Sequence, residues 1–260
     1  MQAMAPWTAF TFTPKFRFTS KSIKKHWNRL HSGDKEPLPQ DETLLSAWAM
    51  FHRGEFEQAA KTGLSAGLAG YTVANKATCI YASYLEPREK TKQDLFMLVN
   101  ERACEQIAAQ PTNANAYYLQ AYALGRYSQG ISVAKALAKG LGGKVKSALE
   151  TTIRLEPQHA EAHIALGTFH AEVIDKVGAL IGNMTYGAKK EISYKLLEQG
   201  RKLYLDSPAL LLEYAHGVAL LDSDESSEKI TRLYEKIIAI KAADATERLS
   251  VELARIELSE

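Results

Sequence analysis

The sequence predicts an all-α protein whose helical hairpins stack side by side into a superhelix. Proline-marked junctions recur at Ile107-Ala-Ala-Gln-Pro111, Ile153-Arg-Leu-Glu-Pro157 and Leu203-Tyr-Leu-Asp-Ser-Pro208. Each ends an amphipathic stretch, and a new one follows within a few residues. Proline just past a helix is a stop signal, because it lacks the N–H that continues the i→i−4 ladder. Small residues (Ala121, Ala148, Gly167) also fall between large planar ones. That pattern lets two helices approach closely while rings fill the gap beside them. A hairpin of this kind cannot bury its apolar face alone, so neighbours must stack.

Along the chain, residues 1–40 differ from the rest and read as a basic and aromatic arm. Trp7, Phe10, Phe12, Phe16 and Phe18 are interleaved with Thr, Pro14, Lys15 and Arg17. Ser22–His31 reads as a short helix with Ile23, Trp27 and Leu30 on one face and Lys21, Lys24, Lys25 and Arg29 around the other. Gly33 would end it, and Glu36-Pro-Leu-Pro39 is a linker. The arm is expected either to cap the first hairpin through Trp27 or to dock on a membrane surface or an acidic partner.

Residues 41–260 form the superhelical domain. Its first hairpin is marked by Ala47 to Ala60, with Gly54-Glu-Phe56 at the turn and Ala59 and Ala60 in the second helix. After Pro111 comes Ala114-Asn-Ala-Tyr117-Tyr-Leu-Gln-Ala121, and after Pro157 comes Ala160-Glu-Ala-His163-Ile-Ala-Leu166-Gly167-Thr-Phe-His170. Glu213 to Gly217 and Ile230–Ile240 make a further hairpin, and Asp244–Leu258 reads as a C-terminal capping helix. These segments resemble the tetratricopeptide (TPR) repeat. Leu166-Gly167 fills its Leu-Gly slot, and His163 and His170 take its two aromatic slots. The resemblance implies a binding or scaffolding role and a concave groove lined by the first helix of each hairpin.

Two hairpins are enlarged, exceeding the usual repeat of about 34 residues by roughly 12–17. The extra segments, Gln129 to Gly143 and Val177 to Gly187, are apolar, contain glycine and sit at the same point of the repeat. With Leu166-Gly-Thr-Phe-His170-Ala-Glu172-Val173, they resemble a narrower TPR branch. That branch includes regulator of microtubule dynamics proteins and the TPR partner of tripartite ATP-independent periplasmic transporters. The chain shows no basic start, apolar core and small-residue cleavage site of an export signal, which argues against the periplasmic role.

Composition narrows the function classes. No stretch approaches the roughly 18 apolar residues of a spanning helix, so a cytoplasmic protein without a transmembrane segment is expected. Cys79 and Cys104 lie inside apolar helical patterns and read as free thiols. Apart from the arm, charges alternate in sign, without the basic stripe of a nucleic-acid protein. Lys139-Gly-Leu-Gly-Gly143-Lys144-Val145 fails as a phosphate loop, because its leading Gly is misplaced and Val145 stands where Ser or Thr must meet magnesium. His159, His163 and His170 have spacings a zinc site could use, but His163 and His170 fill packing slots and no third ligand is evident beyond Glu161 or Glu172. No catalytic residue, metal or cofactor is expected.

The non-packing face of the first helices, which would point into the groove, selects Asn115, Tyr118, Tyr122 and Arg126, then Ile164, Thr168 and Glu172, then Tyr214. Tyr and Arg dominate binding hot spots. A protein or peptide segment is the expected occupant of this groove. A lipid-like or organic-acid molecule enclosed by the two inserts is the alternative. Arg126 and Glu172 hold equivalent places in successive hairpins, and their pairing with each other is a further alternative.

Overall fold

The computed structural model describes residues 6–13, 15–222 and 227–259. Residues 1–5, Pro14, 223–226 and Glu260, which include parts of the N-terminal arm, lie outside the described residues. Helix α1 (Ser20–Leu30) precedes five hairpins: α2 (Glu42–Arg53) with α3 (Phe56–Ser65), α4 (Tyr71–Tyr84) with α5 (Glu89–Ala109), α6 (Ala114–Gln129) with α8 (Leu141–Leu155), α9 (Ala160–Val177) with α11 (Lys190–Leu203), and α12 (Pro208–Leu221) with α13 (Ser227–Ala239). The two enlarged hairpins place short helices α7 (Val133–Ala138) and α10 (Ala179–Tyr186) between their arms, and α14 (Ala245–Ser259) ends the fold. The described residues contain no strand, so the architecture is all-α. The sequence reading named no hairpin over α4 and α5, although it placed Cys79 and Cys104 in helical patterns and marked the end of α5 at Pro111.

Local chemistry sets the boundaries. Asp41, Asn113 and Ser207 cap α2, α6 and α12, their side-chain oxygens accepting the first-turn N–H of Leu44, Ala116 and Leu210. Pro208 then takes the first turn of α12, where its missing N–H costs nothing. Gly54 closes α2 at φ 86°, and a Cβ there would meet the Phe10 ring at 2.6 Å. Both the left-handed backbone and the neighbouring ring therefore require glycine.

The most extensive helix contact is between α9 and α11. A Cβ on Gly167 would lie 2.8 Å from Leu197 Cγ, and one on Gly200 would lie 2.6 Å from Ile164 Cγ1. Ser193 Oγ donates to Gly167 O across the seam at 2.6 Å. Backbone packs against side chain here, as the Leu166-Gly167 pattern implies.

The N-terminal segment packs on the first hairpin. Ile23 and Trp27 are buried, Trp27 meets Trp48 edge-on at 5.9 Å, and its Nε1 donates to Glu36 O at 2.8 Å. Trp7 stacks on Tyr81 at 4.2 Å. Burying each such side chain stabilises by about 1.5–3 kcal/mol. Phe10, Ile23 and Trp27 are thus occupied by the body and not presented to a membrane surface.

At the other end, α14 does more than cover the last hairpin. It packs on α12 and α13 and also reaches α2. Ala245 and Leu249 join the buried cluster that holds Ile23, Trp27 and Trp48. The last helix therefore returns to the first hairpin, and the superhelix closes on itself.

Candidate functional site

Closure turns the concave face into a chamber of about 320 Å³. Cys79, Ile80 and Tyr84 of α4, Tyr118 and Tyr122 of α6, and Ile164, Ala165 and Phe169 of α9 form its walls. Both inserts contribute: Val133, Ala136 and Leu137 from the first, Val177 and Tyr186 from the second. The two inserts touch, because the Tyr186 ring lies against Gly142, 2.8 Å from where a Cβ would stand. Asp244, Thr246, Glu247 and Ser250 of the final segment complete the lining.

One end of the chamber is a buried ionic network. Lys76 Nζ donates to Asp34 Oδ2 at 2.5 Å and to Glu161 Oε1 at 3.2 Å. Burial opposes the Lys76 charge, yet these two carboxylates outweigh it and hold the ammonium above the ordinary lysine range. Asp34 also accepts from the His31 ring at 3.0 Å. Burial nevertheless keeps His31 neutral, lowering its pKa to about 4. His52 Nδ1 lies 2.5 Å from Asp244 Oδ2, and Arg29 pairs with Glu247 at 2.7 Å. Burial raises Glu247, and the Asp244 charge adds to the shift.

At the opposite rim Arg126 pairs with Glu213 of α12 and lies over the Tyr122 ring at 5.4 Å. The Glu213 carboxylate raises Arg126 well above its ordinary value despite burial. Glu172 accepts from Gln129 Nε2 at 2.6 Å and lies 3.7 Å from His216 Nε2. Gln129 also accepts from Arg126 Nη1 at 3.3 Å. Arg126 and Glu172 are therefore bridged by Gln129 and do not pair directly, because Glu213 takes the guanidinium.

Of the groove residues selected from sequence, Tyr118, Tyr122, Arg126, Ile164, Thr168 and Glu172 line the chamber. Tyr122 OH is 2.9 Å from Ser83 Oγ, and Thr168 Oγ1 donates to Glu213 O at 3.4 Å. Asn115 is placed elsewhere: its Nδ2 donates to Glu36 Oε2 at 2.6 Å and its Oδ1 meets His159 Nε2 at 3.0 Å. Tyr214 also lies outside the lining, where its hydroxyl donates to Glu198 at 2.6 Å. Both side chains are spent on packing the hairpins together.

The histidines are structural in position. His159 caps α9, accepting Ala162 N–H at Nδ1 and facing Asn115 with Nε2, and burial lowers its pKa to about 3. His163 Nε2 meets Pro157 O at 3.0 Å. Among the described residues no group of His, Cys, Asp and Glu is placed to hold a metal ion. Cys79 lines the chamber, but burial pushes its thiol far above the ordinary range and away from thiolate chemistry. The lining thus joins an apolar and aromatic wall to ionic groups at its ends.

Sequence reasoning missed Lys76, Cys79, Ile80 and Tyr84, all on α4. Most of that helix is buried, so it shows no apolar stripe. It also missed Asp244 and Glu247, whose partners lie far away in the chain. The alanine spacing of Tyr71–Tyr84 was the available signal for α4.

The fold has a solved counterpart. The crystal structure of TTC0263, a thermophilic TPR protein in Thermus thermophilus, superposes with a TM-score of 0.56 at 17% identity. The match covers 82% of this chain and 97% of that one. No family model and no curated protein matches the sequence. The chain therefore has a TPR-like all-α fold. Among the described residues, no helix is long and apolar enough to cross a membrane.

Proposed function

We propose that this chain is a non-catalytic interaction module that holds a short partner segment in its chamber. An apolar side chain of the partner would enter between Tyr122, Ile164 and Phe169, and its polar flank would meet Arg126, Glu213 and Glu172. The observation that carries the reading is the aromatic wall beside an ionic rim, the composition in which a few Tyr and Arg residues supply most binding energy. The TPR-like fold supports a protein partner over other occupants.

Selection of displayed peptides against the full chain tests this. Selected segments should share one apolar anchor, and Tyr122→Ala and Arg126→Ala should each weaken binding about tenfold while leaving the helical signal intact. Unchanged affinity in both variants would overturn the reading.

One observation favours a second reading. Residues of both inserts wall the chamber, so a small amphipathic molecule could be enclosed instead. Native mass spectrometry of the purified protein distinguishes the two, since a retained small molecule that blocks peptide binding supports enclosure.

A further inference from the structure

Each insert carries large aliphatic side chains that remain exposed. On α10, Leu180, Ile181 and Met184 are 74%, 57% and 79% exposed, whereas the half-exposed Val133 and Leu137 of α7 turn to the chamber they line. Leu180, Ile181 and Met184 share one face of their helix by their spacing, while Gly182 is buried and Tyr186 packs on Gly142. α10 is thus fixed to the body by one side and carries aliphatic residues on the other. A contiguous apolar surface of this kind marks an interaction site.

Within the inserts themselves, which Glu150, Asp175 and Glu191 bound, the charge is one-sided. Segments 129–149 and 176–190 contain Lys135, Lys139, Lys144, Lys146, Lys176, Lys189 and Lys190, with no Asp, Glu or Arg. Lys146 and Lys190 are taken by Glu150 and Asp222, and the Lys176 charge acts on Glu172. Lys135, Lys139, Lys144 and Lys189 are exposed and form no ion pair with a described residue.

We infer that α10, with the lysines of both inserts, forms a peripheral docking face for an anionic lipid bilayer. Leu180, Ile181 and Met184 enter the boundary between headgroups and acyl chains, and the unpaired lysines meet the lipid phosphates. An amphipathic helix with lysines beside its apolar face lies in that boundary without spanning the bilayer. The composition separates a bilayer from a protein partner. Protein interfaces favour aromatic residues, Met and Arg and are depleted in Lys, whereas this face sets one Met beside aliphatic side chains and all its cations are lysine. The face differs from the arm at residues 1–40, whose buried apolar side chains pack on the body.

Cosedimentation of the full chain with vesicles tests this, using equal parts phosphatidylglycerol and phosphatidylcholine against phosphatidylcholine alone. Binding should favour the anionic vesicles by about tenfold or more and weaken as salt rises. The triple variant Leu180→Ser/Ile181→Ser/Met184→Ser should lose it, with an unchanged thermal midpoint because these side chains are exposed. Lys135→Ala/Lys139→Ala/Lys144→Ala/Lys189→Ala should lower it by about tenfold or more. An environment-sensitive dye on Met184→Cys, in a Cys104→Ser background, should shift to the blue on anionic vesicles only. Equal binding by wild type and the triple serine variant would overturn the inference, as would no binding to anionic vesicles. Vesicle-free self-association abolished by the same triple variant would also overturn it, assigning the face to a second copy.

Discussion

Two seams hold this superhelix together, and they are built from opposite materials. Between α9 and α11 the helices meet through glycine and aliphatic side chains, Gly167 against Leu197 and Gly200 against Ile164. Where α14 closes on α1 and α2, the contact runs through ionisable groups: His52 to Asp244 and Arg29 to Glu247. The first seam depends on shape and hardly on pH. The second depends on charge, because each buried carboxylate is stable there only while its partner compensates for lost hydration. The closing seam also lines the chamber, through Asp244, Thr246, Glu247 and Ser250.

The largest expected effect separates the seams directly. Asp244→Ala removes the acceptor for His52 and for the Glu247 N–H that starts α14. Removing one partner of such a buried pair costs about 3–5 kcal/mol. Urea unfolding should show that loss, and hydrogen exchange should show α14 losing protection first.

Next is the acid limb of stability. The folded protein holds His31 neutral down to about pH 4, whereas the unfolded chain takes up that proton below 6.5. Between those values the unfolded state binds more protons, so stability falls as pH drops and is fully present above 6.5. This side chain alone should remove up to about 3 kcal/mol across that window. His31→Gln should flatten the acid slope in urea titrations. An unchanged slope would place the acid sensitivity elsewhere.

The smallest effect belongs to the apolar seam. Gly167→Ala brings a methyl group to 2.8 Å from Leu197 Cγ, and overpacking of this kind costs about 1–3 kcal/mol. Thermal unfolding should report a cost that is the same at neutral and acid pH. A strongly pH-dependent cost would break the contrast between the seams.

The same contrast explains what could be read from the sequence. Leu166-Gly167 and the proline junctions are local patterns, so the α9–α11 seam and the hairpins other than α4–α5 were legible. Ile23 and Trp27 show their stripe within two helical turns, and they are buried. His52 and Asp244 lie 192 residues apart, and no periodicity connects them. Ring closure was therefore invisible, as was the share of α14 in the site. Arg126 and Glu172 were correctly aligned by repeat position, but the partner of Arg126 is Glu213, one hairpin further on. Asn115 and Tyr214 sat on the selected face, yet neighbouring polar groups claimed their side chains.

The central claim is that the chamber itself is the binding site. Ala165 lines it from α9 and is only partly buried, so Ala165→Trp fills the space without displacing the helix seam. The decisive measurement is calorimetric titration of a selected peptide into wild type and into Ala165→Trp, with matched thermal midpoints. The chamber account expects affinity to fall at least about tenfold in the filled variant. Equal affinity in a folded Ala165→Trp protein would contradict it and place the partner outside the chamber.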